Sequence, residues 1–241
     1  MSESERITKA VRAAFEHEPH INLHRYPIEI TWSDEVLTLE GEVENVAAKK
    51  LGMELAAAIP GVRGIVDRLH VVPAARMGDG AVLDAVREVL VGEPALQPCT
   101  IRVKSKGIVE TVREGYPETR GMIEISVNDG VVLLDDHVPS LIQKRLAGVL
   151  AWWVPGSRDV TNGLAVEPPE EDSDEEITEA VRLVFEKNRL VNGDQIAVRT
   201  RNAVVTLEGL VVNKAQKHMA EFDAWFVFGV DKVVNNLTVQ E

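Results

Sequence analysis

The feature that most constrains this chain is that it writes one pattern three times. "ITKAVRAAF" at residues 7–15 returns as "ITEAVRLVF" at 177–185 and, more loosely, as "VLDAVREVL" at 82–90. Each copy spaces its apolar residues for one buried helical stripe, as with Ile7, Ala10, Val11 and Ala14, or Ile177, Ala180, Val181 and Val184. Next come paired strand patterns. "IEITW" (28–32), "IEISV" (123–127) and "IAVRT" (196–200) precede "VLTLEGEV" (36–43), "VVLLDDHV" (131–138) and "VVTLEGLV" (204–211), through connectors short enough for hairpins. A second helical segment follows, ending in "AAAIPG" (56–61), "AWWVPG" (151–156) or "AWFVFG" (224–229). A last strand closes each unit, at 65–72, 160–166 and 233–239.

The order predicts an α+β chain of three tandem α-β-β-α-β repeats. Each is a small three-stranded mixed sheet with two helices on one face, its strand–helix–strand half a right-handed parallel crossover. The repeats are placed at 1–76, 77–166 and 177–241, with an acidic, Pro-rich linker at 167–176. Repeat 2 carries a surplus of about twenty residues at about 100–121, read as an extra hairpin turning at Lys106-Gly107 and a Pro-containing loop. Glycines are expected at structural turns: Gly41 and Gly209 late in the second strand, and Gly61, Gly156 and Gly229 where the second helix ends. Asp136 replaces the strand glycine in repeat 2, and aspartate tolerates the left-handed region better than most residues.

This order, with V-x-L-x-G closing the second strand, resembles the BON family (bacterial OsmY and nodulation domains) over nearly the whole chain. The resemblance implies a non-enzymatic binding module that associates with membrane phospholipid or envelope components in osmotic or other stress responses. It also leaves open potassium-ion binding, as in some cytoplasmic relatives, and a protein-interaction scaffold is the alternative from a different class.

Composition narrows the partners. The net charge of −13 is unevenly spread: 1–76 and 77–166 each carry 9 Lys+Arg against 12 Asp+Glu, 177–241 is neutral, and 167–176 holds seven acids and no base. No repeat has the basic excess of a nucleic-acid binder. The linker reads as a self-repelling tether on which repeat 3 moves independently, and as the first site of proteolysis, while repeats 1 and 2 are expected to pack together. No apolar run reaches the length of a membrane span, no secretory leader is evident, and Cys99 is the sole cysteine. The expectation is a cytoplasmic protein, membrane-peripheral at most.

Enzyme signatures are absent: no P-loop, G-x-G-x-x-G, G-x-S-x-G or H-E-x-x-H occurs. No cofactor is expected. Candidate contacts come from two places. Helical register puts Trp153 on the core stripe with Ile142, Leu146 and Val149, and puts Trp152 and its repeat-3 equivalent Trp225 at the stripe's edge. There each covers a neighbouring repeat or meets a lipid or protein partner. Arg102, Lys104 and Lys106 alternate with Ile101 and Val103, making a basic face that either attracts anionic lipid or guards a strand edge. His17, His20 and His24 lie close enough in sequence for zinc, but Pro19 and the acidic flanks favour a plain surface loop.

Overall fold

A computed structural model describes residues 2–116 and 121–240. It divides into two compact units, residues 1–72 and 73–241. Repeat 1 is the first unit; repeats 2 and 3 together make the second.

Repeat 1 runs α1 (Glu3–His17), β1 (Ile28–Ser33), β2 (Val36–Val43), α2 (Val46–Ala57) and β3 (Gly64–Val71). Ser2 opens α1 with a capping box to Glu5, and Asn45 caps α2 through the Ala48 N–H. β1 pairs antiparallel with β2, and β2 pairs parallel with β3 across α2. Ile7, Val11 and Phe15 of α1 meet Leu37 and Leu39 of β2, Leu69 of β3 and Ala48 and Ala56 of α2 in one core. The opposite face of the sheet is polar, with Glu40 and Arg68 paired at 3.2 Å.

Repeat 2 begins with α3 (Asp79–Gly92), then β4 (Thr100–Ser105) and β5 (Ile108–Arg113), then β6 (Met122–Asn128), β7 (Val131–Val138), α4 (Leu141–Trp152), β8 (Asp159–Asn162) and β9 (Ala165–Val166). The extra hairpin is β4–β5, with Lys106-Gly107 at its turn. Its sheet departs from the expected three strands. β4 adds in parallel beside β6, β5 lies outside it, and the closing strand is split in two, for six strands in all. The three-stranded core β6–β7–β8 expected of each repeat is kept and widened on one side. The Pro-containing loop of the insertion, 117–120, lies outside the described residues.

Repeat 3 contains α5 (Asp174–Lys187), β10 (Ile196–Arg201), β11 (Val204–Val211), α6 (Lys214–Phe226) and β12 (Lys232–Val239), in the sheet order β10-β11-β12. Repeats 2 and 3 share one local device. The carboxylate opening the first helix binds the hairpin turn: Asp79 accepts from the Asp129 and Gly130 N–H groups, and Asp174 from those of Asn202 and Ala203. Each side chain thus satisfies two turn donors that strand pairing leaves over.

Candidate contact surfaces of the second and third repeats

Helix α4 explains why repeats 2 and 3 are one body. Its sequence "LIQKRLAGVLAW" has polar residues only at 143–145, and from Arg145 to Ala151 every residue is buried. Such all-round burial needs a cover on both sides. One side faces the sheet of repeat 2; α5 and α6 of repeat 3 pack on the helix as well. Leu183 of α5 joins the repeat 2 core, and Lys187 pairs with buried Glu93 at 2.6 Å.

Arg145 has no exposed surface. Its Nε donates to the Phe228 carbonyl at 3.0 Å, and Nη2 binds the Asp172 carboxylate. Lysines recur one residue earlier at a shared station. Lys49 and Lys217 donate to the Leu69 and Leu237 carbonyls within their own repeats, at 2.5 and 2.6 Å. Lys144 instead lies 4.7 Å over the Phe228 ring of repeat 3. Burial and the neighbouring Arg145 push the Lys144 ammonium below its usual range, and Asp172 opposes them.

The tryptophans complete this contact. Trp152 stacks on Phe226 with centroids 5.7 Å apart and planes 12° from parallel. Trp153 donates Nε1–H to Asp223 at 2.9 Å, and Asn188 donates to the other oxygen of the same carboxylate at 2.6 Å. Both indoles are half-buried. Trp152 thus takes the first of its two expected roles, covering the neighbouring repeat, while Trp153 packs against the repeat 2 core and also reaches repeat 3 through its N–H. Trp225, expected at the stripe's edge, is 1% exposed, so its indole is covered within the chain and is not displayed to a lipid or protein partner. The buried residues of α6 are Gln216, Ala220, Asp223, Ala224 and Trp225. Asp223 was missed by sequence reasoning. Burial pushes its carboxyl up to about 6, against the lowering effect of its bonds from Asn188 and Trp153.

The acidic linker is also tied down. Glu170 accepts from the Leu141 N–H at the start of α4, Asp172 holds Arg145, and Ser173 caps α5, so the helix absorbs residues from 174 onward. Repeat 3 is docked through it, where independent movement was expected.

The inserted hairpin presents a different surface. Ile101 is buried, Val103 is half-buried against the repeat 2 core, and Arg102 and Lys104 project from the other face. Lys104 pairs with Glu124 at 3.2 Å, with half of the lysine side chain still in solvent. Lys106 is exposed in the turn at φ +51°. Beyond it stand Ile108, 72% exposed, and Val109, 44% exposed. These two were missed; the sequence signal was an apolar pair directly after a "KSKG" turn. Segment 100–113 carries four bases and one acid in a chain of charge −13. Arg113 points inward and donates to the Val91 and Cys99 carbonyls at 2.6 and 3.2 Å.

The remaining candidates are structural. Gly41, Gly209, Gly61 and Gly229 hold positive φ, while Gly156 is buried with Met77 and Val82 where a Cβ would sit. Asp136 keeps the repeat 2 strand running at φ +90° and pairs with His137 at 2.6 Å. His20 faces Glu18 at 2.6 Å, and the structure does not gather His17, His20 and His24. Among the described residues no three His, Cys, Asp or Glu side chains come together for a metal. Among the same residues no helix is long and apolar enough to cross a membrane.

The BON domain profile matches residues 3–73, 108–168 and 173–241. The osmotically-inducible protein Y of Escherichia coli K12 is 28% identical over 158 residues, 66% of this chain and 70% of that protein. The C-terminal domain of CdsD, a structural protein of the Chlamydia trachomatis type III secretion system, aligns over 100% of both chains at 13% identity and a TM-score of 0.26. The PrgH periplasmic domain aligns over 90% of this chain and 96% of its own at 9% identity and a TM-score of 0.24.

Proposed function

The chain belongs to the BON domain family, and from that premise we propose a non-catalytic, stress-related binding module that meets anionic phospholipid through the inserted hairpin of repeat 2. The observation carrying this reading is the hairpin tip, where exposed Ile108 and Val109 adjoin Lys104 and Lys106. A surface ion pair such as Lys104–Glu124 is worth about 1 kcal/mol or less, so it yields readily to a phosphate. Each base near an anionic leaflet contributes about 1 kcal/mol. Sinking an exposed Ile or Val side chain into the acyl boundary adds about 1.5–3 kcal/mol when burial is complete. Two apolar anchors and three bases together support reversible, peripheral attachment. The stress-related part rests on similarity to the osmotically-inducible protein Y. Burial of Trp225 and the engagement of Trp152 remove the indoles that a partner-protein scaffold would have displayed.

Vesicle flotation tests the reading, with phosphatidylcholine alone and with phosphatidylglycerol added. The full chain should float only with the anionic lipid, and less as salt rises. Reversing Arg102, Lys104 and Lys106 to glutamate should abolish flotation, and Ile108→Asp should weaken it. Failure of the unaltered chain to float, or unchanged flotation of the triple variant, would remove the hairpin from lipid binding.

A further inference from the structure

Strand β5 is the outer edge of the six-stranded sheet and pairs with β4 alone. Beside it an open groove of about 630 Å³ separates the strand from α3, walled by Arg87, Glu88 and Val91 on the helix and Glu110, Thr111 and Val112 on the strand. A strand edge alongside a helix is the geometry in which an extended peptide adds one more strand.

The backbone is oriented for this. Ser105 and Ile108 flank a two-residue turn, which makes them a hydrogen-bonded pair. Pairs alternate along an antiparallel ladder, so Val109 and Thr111 direct their N–H and C=O groups away from β4. The register shift opposite Ile101/Arg102 ends the regular stretch at Thr111. Ile108 and Glu110 share a strand face with Val112, which packs on the repeat 2 core beside Val91. The groove thus offers backbone donors and acceptors above an apolar floor.

Charge selects the occupant. Glu88 and Glu110 stand on opposite walls, both exposed, and neither has an ion-pair partner among the described residues. Arg87 is engaged by Asp84, one turn back, at 3.2 Å. Carboxylates on both sides of an apolar floor call for a strand that alternates apolar residues with lysine or arginine.

We propose that the α3–β5 groove is a docking site for an extended basic–apolar segment of a partner protein, which joins the sheet as a strand beside β5. Selection of random decapeptides displayed on phage against the full chain tests it. Enriched peptides should alternate apolar and basic residues, and their binding should shift the amide signals of Val109 and Thr111. Glu88→Lys with Glu110→Lys, both surface changes, should weaken a selected peptide about tenfold or more. Thr111→Pro should abolish binding by removing an edge N–H, and circular dichroism checks that this variant folds. The Arg102, Lys104 and Lys106 reversals should not weaken peptide binding, although they abolish flotation, which separates this site from lipid contact. No enrichment, enrichment of sequences without bases, or full affinity in the Glu88/Glu110 variant would overturn the assignment.

Discussion

The indole N–H of Trp153 in repeat 2 meets the carboxylate of Asp223 in repeat 3 at 2.9 Å, and Asp223 is 2% exposed. A carboxyl buried at a contact between two repeats makes that contact answer to protons. Burial raises Asp223 from an ordinary 3.8 to about 6, even though Asn188 and Trp153 both stabilise the ionised form.

The sign follows from linkage. The folded state holds the Asp223 proton more tightly than the unfolded chain does. Its contribution to stability is therefore full below about pH 4 and is lost as pH rises through about 6. A shift of this size corresponds to roughly 3 kcal/mol at most. Asp223→Asn keeps an acceptor for Trp153 and removes the charge. Urea melts at pH 4.5 and pH 7 should show the variant gaining on the unaltered chain as pH rises. A difference that does not change with pH would mean Asp223 titrates as an ordinary surface carboxyl.

The tryptophans should separate by environment. Trp225→Ala empties a buried site and should cost about 3–5 kcal/mol. Trp153→Ala removes half-buried area and also leaves Asp223 without one donor, for about 2–3 kcal/mol. Trp152→Ala loses a stack on Phe226, about 1 kcal/mol. Denaturant melts of the three variants should follow that order, and a largest loss for Trp152 would contradict it.

The repeat architecture was legible because period-2 and period-3.6 patterns recur at matching offsets, and "KSKG" marked the hairpin turn. Part of what was not legible came from one assumption, a single buried stripe per helix. Helix α4 is covered from two sides, so even Arg145 is buried, and a one-stripe pattern cannot separate the environments of Trp152 and Trp153. The same contact recruits Glu170 and Asp172 from a segment whose composition reads as solvated linker. Local pattern cannot reveal that β4 joins β6 in parallel, because strand addition is set by non-local pairing. The exposed tip residues Ile108 and Val109 follow a β-like pattern and differ from core strand residues only in what fails to cover them.

Glycine at position 209 should be hard to replace. Its φ is +137°, and a Cβ there would sit 2.0 Å from the Gln195 carbonyl oxygen. Backbone must shift to admit alanine, so Gly209→Ala should cost about 3 kcal/mol or more. Gly41 has the same conformation, φ +144°, with 2.7 Å to the Pro27 oxygen, and its alanine variant should lose less. Thermal melts of the two variants, each compared with the unaltered chain, check the ranking.

Proteolysis distinguishes a tethered third repeat from a docked one. Composition alone made 167–176 the first place to be cut. In the structure Glu170 caps α4 and Asp172 holds buried Arg145, so this segment must detach before a protease can seat it. The stretch 74–76, "AAR", is exposed and lies at the start of the second compact unit, just past the division at Val72. Brief trypsin treatment should therefore cut first after Arg76, leaving 77–241 as one fragment. A glutamate-specific protease should cut 167–171 slowly in that fragment. Arg145→Met keeps the buried volume near its original value and frees Asp172, and it should speed that cleavage without unfolding the fragment. Early separation of repeats 2 and 3 in the unaltered chain would show that the acidic segment is a free tether after all.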